Sequence, residues 1–225
     1  MKVTENLQRI EENILQACRR SGRNRQEVRV IAVTKYVSIE RAAEALKAGI
    51  FDLGENRDEG LLAKFEVLKD KPVWHYIGSL QTRKVRNIID KVTYIHSLDR
   101  LSLADEIQKR ALAPVNCLVQ VNVSGEESKH GLAPEAVLDF VRSAAALEKI
   151  TIAGLMTMAP FTDDENVIRN CFKQLRDLQS EIQQEQIEGA PCLELSMGMS
   201  NDYEIAIEEG ATMIRIGTAL VGEDS

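Results

Sequence analysis

Several common signatures are missing from this 225-residue chain, and each absence narrows what it can be. The four cysteines, Cys18, Cys117, Cys171 and Cys192, stand far apart, with no Cys-x-x-Cys spacing and no histidine cluster beside them. That argues against a zinc site or a disulfide framework and for a reducing compartment. No apolar run approaches the ~20 residues needed to cross a bilayer. The N-terminus is polar and carries acids within its first residues, unlike a signal or transit peptide, so a cytoplasmic location is expected. Gly-x-Gly-x-x-Gly, Walker and Gly-x-Ser-x-Gly motifs are all absent. The formal net charge of -7 lacks the basic excess a nucleic-acid binder needs, which leaves a small molecule as the expected partner. No linker or low-complexity segment divides residues 1–225, so one domain is expected.

What is present is alternation. Residues 3–20 carry Val3, Leu7, Ile10, Ile14, Leu15 and Cys18 at helical spacing, followed by a Ser21-Gly22 stop. A strand over 28–35 comes next, then a helix capped by Ser38 and stopped by Gly49. Strand-like runs recur at 50–56, 73–78, 92–98, 115–123, 151–158, 192–198 and 213–221. Helical patterns lie between them at about 57–69, 80–90, 99–112, 134–147, 164–187 and 201–209. Eight strands separated by seven helices fit a doubly wound sheet or a closed barrel. The count of eight and the chain length favour a (β/α)8 TIM barrel, with the extra N-terminal helix covering the wall where no helix follows the last strand.

In that fold the site lies at the C-terminal ends of the strands. Strand one, VIAVTKY, delivers Lys35 there. A lysine at the end of a buried strand is a candidate for Schiff-base chemistry, because low-dielectric surroundings favour the neutral, nucleophilic amine; an ordinary strand end meeting water is the simpler alternative. Strands one and eight adjoin in a closed barrel, which puts Lys35 near Arg215. An arginine inside an apolar strand needs a partner or a ligand; Glu208 or Glu209 could instead pair with it on the outside. In LSMGMSNDY, Ser200 or Asn201 stands where a helix N-cap belongs. With Gly217 and Thr218, this stretch suggests a phosphate site after strands seven and eight. His75, His96 and His130 lack metal-ligand spacing and read as satisfied core or rim residues. Asp52, Glu55, Asp58 and Glu59 crowd one helix start, where acids suit the dipole. Lys129 reads as solvated.

The stretches AVTKY, FDLGENR, WHYIGSLQTRK, IHSLD, QVNVSGEESKHG, GLMTM and LSMGMSNDYEIAIEEGATMIRIGTALVG together span nearly the whole chain. They resemble the pyridoxal-phosphate homeostasis protein family, related to the N-terminal barrel of alanine racemase. The resemblance implies pyridoxal 5'-phosphate (PLP) held as an internal aldimine on Lys35. It also implies Ser196, Ser200, Gly217 and Thr218 around the phosphate, Arg215 facing the pyridine nitrogen, and Asn56 and Met156 lining the pocket. The family often has tyrosine where this chain has Arg57 and asparagine where it has Arg83, which bears on the rim alone. The chain ends four residues after Val221, so the second domain of a racemase is expected to be absent. An arginine at the ring nitrogen also weakens the cofactor as an electron sink. The expected function is therefore a monomeric PLP carrier or buffer in vitamin B6 homeostasis, with PLP-dependent apo-enzymes as candidate recipients of the cofactor and no catalytic residues. The alternative is a small PLP-dependent amino-acid racemase.

Overall fold

Strands apolar on consecutive residues must be covered on both faces, and crossover helices between parallel strands supply that cover. The computed structural model describes residues 3–126 and 130–222. Its elements follow one another as α1 (Val3–Ser21), β1 (Arg29–Val33), α2 (Ile39–Lys47), β2 (Asp52–Glu55), α3 (Asp58–Leu68), β3 (Val73–Tyr76), α4 (Val85–Ile88) and β4 (Tyr94–Leu98). The second half continues with α5 (Leu101–Arg110), β5 (Val115–Gln120), α6 (Pro134–Ala145), β6 (Ile150–Met156), α7 (Glu165–Gln184), β7 (Glu194–Ser196), α8 (Tyr203–Glu208), β8 (Met213–Ile216) and α9 (Thr218–Val221). The strands pair in sequence order, and β8 pairs in parallel with β1 to close the (β/α)8 barrel expected from the alternation.

Successive side chains on a strand point to opposite faces. One set, including Val30, Ala32, Leu53, Trp74, Ile95 and Ile214, joins the main apolar core beneath the helices. The other set faces the lumen, where Ile31, Leu118, Met156 and Met213 form a small separate cluster with Tyr94 against it. The same parity turns Arg29, Asp52, His75, His96, Glu194, Ser196 and Arg215 inward. Barrels of this kind are usually filled by bulky aliphatic side chains. A lumen this polar is a departure that needs hydrogen bonds to sustain it.

Helix α1 lies against α8 and α9 with Val3, Ile10, Ile14 and Cys18 buried. Asn6 Nδ2 donates to the Leu220 carbonyl and Asn13 Nδ2 to the Tyr203 hydroxyl, both at 2.9 Å. Beyond its end, Arg23 Nη1 donates to the carbonyls of Ile207 and Ala211 where α8 stops, the end at which a helix favours a cation. Ser38 caps α2 as expected, its Oγ accepting from Arg41 N at 3.2 Å.

One expectation needs correction. The run 213–221 is not a single strand: β8 ends at Ile216, Gly217 leaves the extended region at φ -97°, ψ -112°, and Thr218–Val221 turns into α9. A helix therefore does follow the last strand. It is only one turn long, so α1 completes the wall beside it.

The approach of β6 to β7 depends on Gly154, where a Cβ would stand 1.9 Å from the Glu194 carbonyl oxygen. Backbone cannot yield there as a flexible side chain could. Gly154→Ala is expected to cost more than about 2 kcal/mol, read as a lowered urea midpoint; an unchanged midpoint would show that the two strands can separate without loss.

Candidate active site at the barrel mouth

Strand β1 ends at Val33, and the ladder is extended by Thr34, whose N-H donates to the Gly54 carbonyl at 3.0 Å. The Thr34 hydroxyl donates to Glu55 Oε1 at 2.6 Å, and its carbonyl accepts from Val37 N at 3.2 Å. Lys35 and Tyr36 thus ride on a turn pinned from below by buried Thr34. Lys35 is exposed, its Nζ 4.7 Å from the centroid of the Tyr36 ring. The expectation of a low-dielectric strand end is corrected: the amine stands in water, accessible to an incoming electrophile.

That amine borders a cavity of about 570 Å³, lined also by Glu55, Asn56, Arg57, Tyr76 and Lys84. Glu55 is buried and ion-paired with buried Lys64 at 3.0 Å, while its Oε2 has no hydrogen-bond partner. The Tyr76 phenol is pushed up to about 12, chiefly by burial and then by Asp58. Close packing of the β2 and β3 ends requires Gly78, where a Cβ would lie 2.3 Å from the Asn56 carbonyl oxygen.

Below the mouth, Arg215 points into the lumen and is 5% exposed. Its Nη1 donates to Ser196 Oγ at 2.6 Å and its Nη2 to the Thr157 carbonyl at 3.0 Å. Burial lowers it to about 10, with Asp202 opposing, so it remains a cation at neutral pH. The outward alternative is ruled out, because Glu208 and Glu209 pair with Arg20, Arg169 and Arg176. Ser196 Oγ also lies 2.9 Å from His96 Nδ1. His96 Nε2 meets His75 Nδ1 at 2.9 Å, and His75 Nε2 meets Asp52 Oδ1 at 2.9 Å. Strands β4 and β7 are not neighbours, so the His96–Ser196 contact crosses the lumen. The two histidines are core residues, as their spacing suggested, but they are joined to the candidate arginine. Their inward parity in consecutive strands was the available signal.

The loops after β7 and β8 lie side by side. Arg215 N donates to the Gly198 carbonyl at 3.0 Å, carrying the pairing past Ser196. Gly198 turns at φ +92°, and a Cβ there would meet Ala206 at 2.6 Å. Ser200 is half-buried and borders a second cavity of about 480 Å³ with Pro160, Phe161, Met199 and Asp202. The capping position of α8 belongs to Asp202 and not to Ser200 or Asn201; its Oδ1 accepts from Met199 N at 2.6 Å. Gly217 is half-buried and Thr218 exposed, next to β1 through the register Ala32↔Ile216. Ser196 and Arg215 are thus brought into contact, and Lys35 shares a cavity with Asn56. Met156 packs in the lumen cluster and, like Ser196, borders neither cavity.

The acids of 52–59 do not act as one group. Asp52 serves His75, Glu55 serves Thr34 and Lys64, and Asp58 and Glu59 bind Lys84. His130 is exposed, and Lys129 lies outside the described residues. Among the described residues no three His, Cys, Asp or Glu side chains group as a metal site, and no helix is long and apolar enough to cross a membrane.

Known proteins share this architecture. The family model of the alanine racemase N-terminal domain matches residues 6–225. A curated pyridoxal phosphate homeostasis protein from Aquifex aeolicus is 44% identical over 227 residues, 99% of either chain. A structure of an unknown protein from Bifidobacterium adolescentis superposes with a TM-score of 0.93 at 35% identity, over 97% of this chain and 94% of that one. PipY of Synechococcus elongatus, solved with PLP bound, superposes at 0.84 with 32% identity, over 98% of this chain and all of that one.

The buried imidazoles give stability a pH dependence. Burial lowers His75 despite Asp52, and lowers His96 well below the ordinary value, with His75 and Arg215 adding to the effect. Below about pH 6.5 the unfolded chain therefore binds protons that the fold refuses, and each tenfold difference in proton affinity is worth about 1.4 kcal/mol. Burial opposes ionisation of Asp58, but Lys84 and Asn87 outweigh it and hold the carboxyl at about 2, which adds a second loss below about pH 4. Urea midpoints should be level above pH 6.5, decline from there, and fall more steeply below pH 4. A level midpoint between pH 6.5 and 5 would contradict the neutral histidine pair.

Proposed function

Because the chain belongs to the pyridoxal phosphate homeostasis proteins, within the family of the alanine racemase N-terminal domain, we propose that it binds PLP at the C-terminal mouth of its barrel and serves in PLP homeostasis as a carrier or buffer. The observation that carries the reading is the exposed Lys35 amine on β1, beside a β8 whose Arg215 is a buried, lumen-facing cation. PipY, solved with the same cofactor, supports it.

The donor set fits the group. PLP brings an aldehyde, a phosphate and a ring-nitrogen acceptor. Lys35 would supply the amine for the aldehyde, a condensation that releases water. Ser200, Gly217 and Thr218, in adjoining loops, supply hydroxyls and small backbone positions for the phosphate. Arg215, able only to donate, would answer the ring nitrogen, its Nη1 held by Ser196 Oγ. Asn56 closes the side of the cavity at Lys35, and Met156 forms part of the packed floor.

Two features favour holding over turnover. A donor-only guanidinium at the ring nitrogen would leave that nitrogen unprotonated and would limit the carbanion stabilisation that PLP otherwise supplies. Tyr76, the phenol in the cavity with Lys35, is pushed to about 12 and is a poor base at neutral pH. The protein is read as a cytoplasmic monomer that yields PLP to apo-enzymes; four buried cysteines scattered through the fold agree with a reducing compartment.

Wild-type protein incubated with PLP should develop visible absorbance, and borohydride should fix one cofactor mass on Lys35. Lys35→Ala should lose both while keeping its urea midpoint, since the side chain is exposed. No visible band with wild-type protein would sink the reading, and sustained exchange of an amino acid's Cα proton with solvent would favour a racemase.

A further inference from the structure

The line of contacts behind Arg215 has only one proton arrangement compatible with its ends. The carboxylate of Asp52 can only accept, so His75 Nε2 carries the proton between them. A neutral His75 then offers Nδ1 as an acceptor, so the next proton sits on His96 Nε2. A neutral His96 likewise offers Nδ1, which takes the Ser196 hydroxyl proton. Ser196 Oγ keeps its lone pairs for Arg215, which can only donate. Every bond therefore points the same way, from the cation at the mouth to the anion at the N-terminal rim. The opposite order would leave two acceptors facing each other at Asp52. It needs an extra proton on His75, which burial disfavours.

We propose that Asp52, His75 and His96 are positioning residues for Arg215: through a one-way hydrogen-bond relay they fix the Ser196 hydroxyl as an acceptor and so set the guanidinium presented to the cofactor. The inference rests on the reading that Arg215 meets PLP, and adds that the pocket is tuned from the far end of the barrel. Because an arginine cannot give up its role as donor, the relay does not conduct protons; it orients. Hydrogen bonds in a low-dielectric lumen polarise one another along such a line.

The charged and titratable groups around the relay agree with this direction. Arg29 of β1 lies 3.8 Å from Asp52 Oδ1 and 3.4 Å from Glu194 of β7, which sets a cation beside the Asp52 end of the line. Its guanidinium also stands 5.5 Å from the centroid of the Tyr94 ring on β4. That ring stacks on His75 at 4.8 Å and 3°, which fixes the imidazole plane. His96 faces His75, Arg215 and, more distantly, Arg29, none of which favours its charged form. The Thr157 carbonyl is the second acceptor for Arg215, so the guanidinium is held at two nitrogens.

Nitrogen NMR of histidine-labelled apo protein reads the relay directly. At pH 7 both His75 and His96 should be neutral with the proton on Nε2, and a proton on Nδ1 of either ring would overturn the proposal. Asp52→Ala, which removes the terminal acceptor, should weaken PLP binding about tenfold, the scale of one buried hydrogen bond, and shift the visible band. Asp52→Asn keeps an acceptor oxygen and should remain within about threefold of wild type. An Asp52→Ala protein that melts earlier yet binds PLP like wild type would show a structural role only, and would also overturn it. The outcomes separate from those of the cofactor reading: wild-type protein that takes no PLP sinks both, whereas wild-type protein that binds PLP with the wrong tautomers sinks the relay alone.

Discussion

A guanidinium in the middle of a parallel barrel cannot shed its charge and cannot accept a hydrogen bond, so the surrounding structure must supply acceptors. Arg215 imposes that condition here. Ser196 and the Thr157 carbonyl meet it directly, and Ser196 can do so fully because its own proton has somewhere to go. The two histidines and Asp52 extend the same requirement down the lumen until it ends on a carboxylate. The aliphatic filling normal for this architecture is thereby displaced to four residues, Ile31, Leu118, Met156 and Met213. With so little apolar packing in the lumen, stability must come largely from the outward faces of the strands, where the main core lies beneath the helices.

Much of this was legible in the sequence, and the limits have physical causes. Strand periodicity and turn residues are local, so the eight-fold alternation and the closure of the barrel followed from them. Closure in turn put the strand of Lys35 beside the strand of Arg215, but which way the arginine faced stayed open between the lumen and an outer pairing with Glu208 or Glu209, and only the structure decided it. The histidine pair was different. His75 and His96 each look ordinary in their own strands, and the contact that gives them meaning crosses from β4 to β7, between strands that never pair. No local pattern records that contact. The run after Gly217 misled for the converse reason: Thr-Ala-Leu-Val suits either strand or helix, and the backbone of one glycine decided for helix. The low-dielectric setting expected for Lys35 failed on two residues of length, because β1 stops at Val33 and the turn lifts the amine clear of the wall.

The contrast between Lys35 and Arg215 bears on what the site can do. One is exposed on a short turn; the other is clamped at two nitrogens within the lumen. A ligand bonded to both would have its ring held by a fixed donor and its reactive end joined to an amine that water can reach. Catalysis on such a ligand would call for the reverse, a dry reactive end with a tuned base beside it. Here the nearby phenol is raised to about 12, and the buried polar contacts run from Arg215 down the lumen to Asp52. On the proposed reading, an exposed Lys35 turn would let water or a competing amine approach the bond that secures the ligand. The rigid lumen meanwhile preserves the shape that accepts the next ligand. That division, fixed below and open above, is what the proposed carrier role would ask of the site.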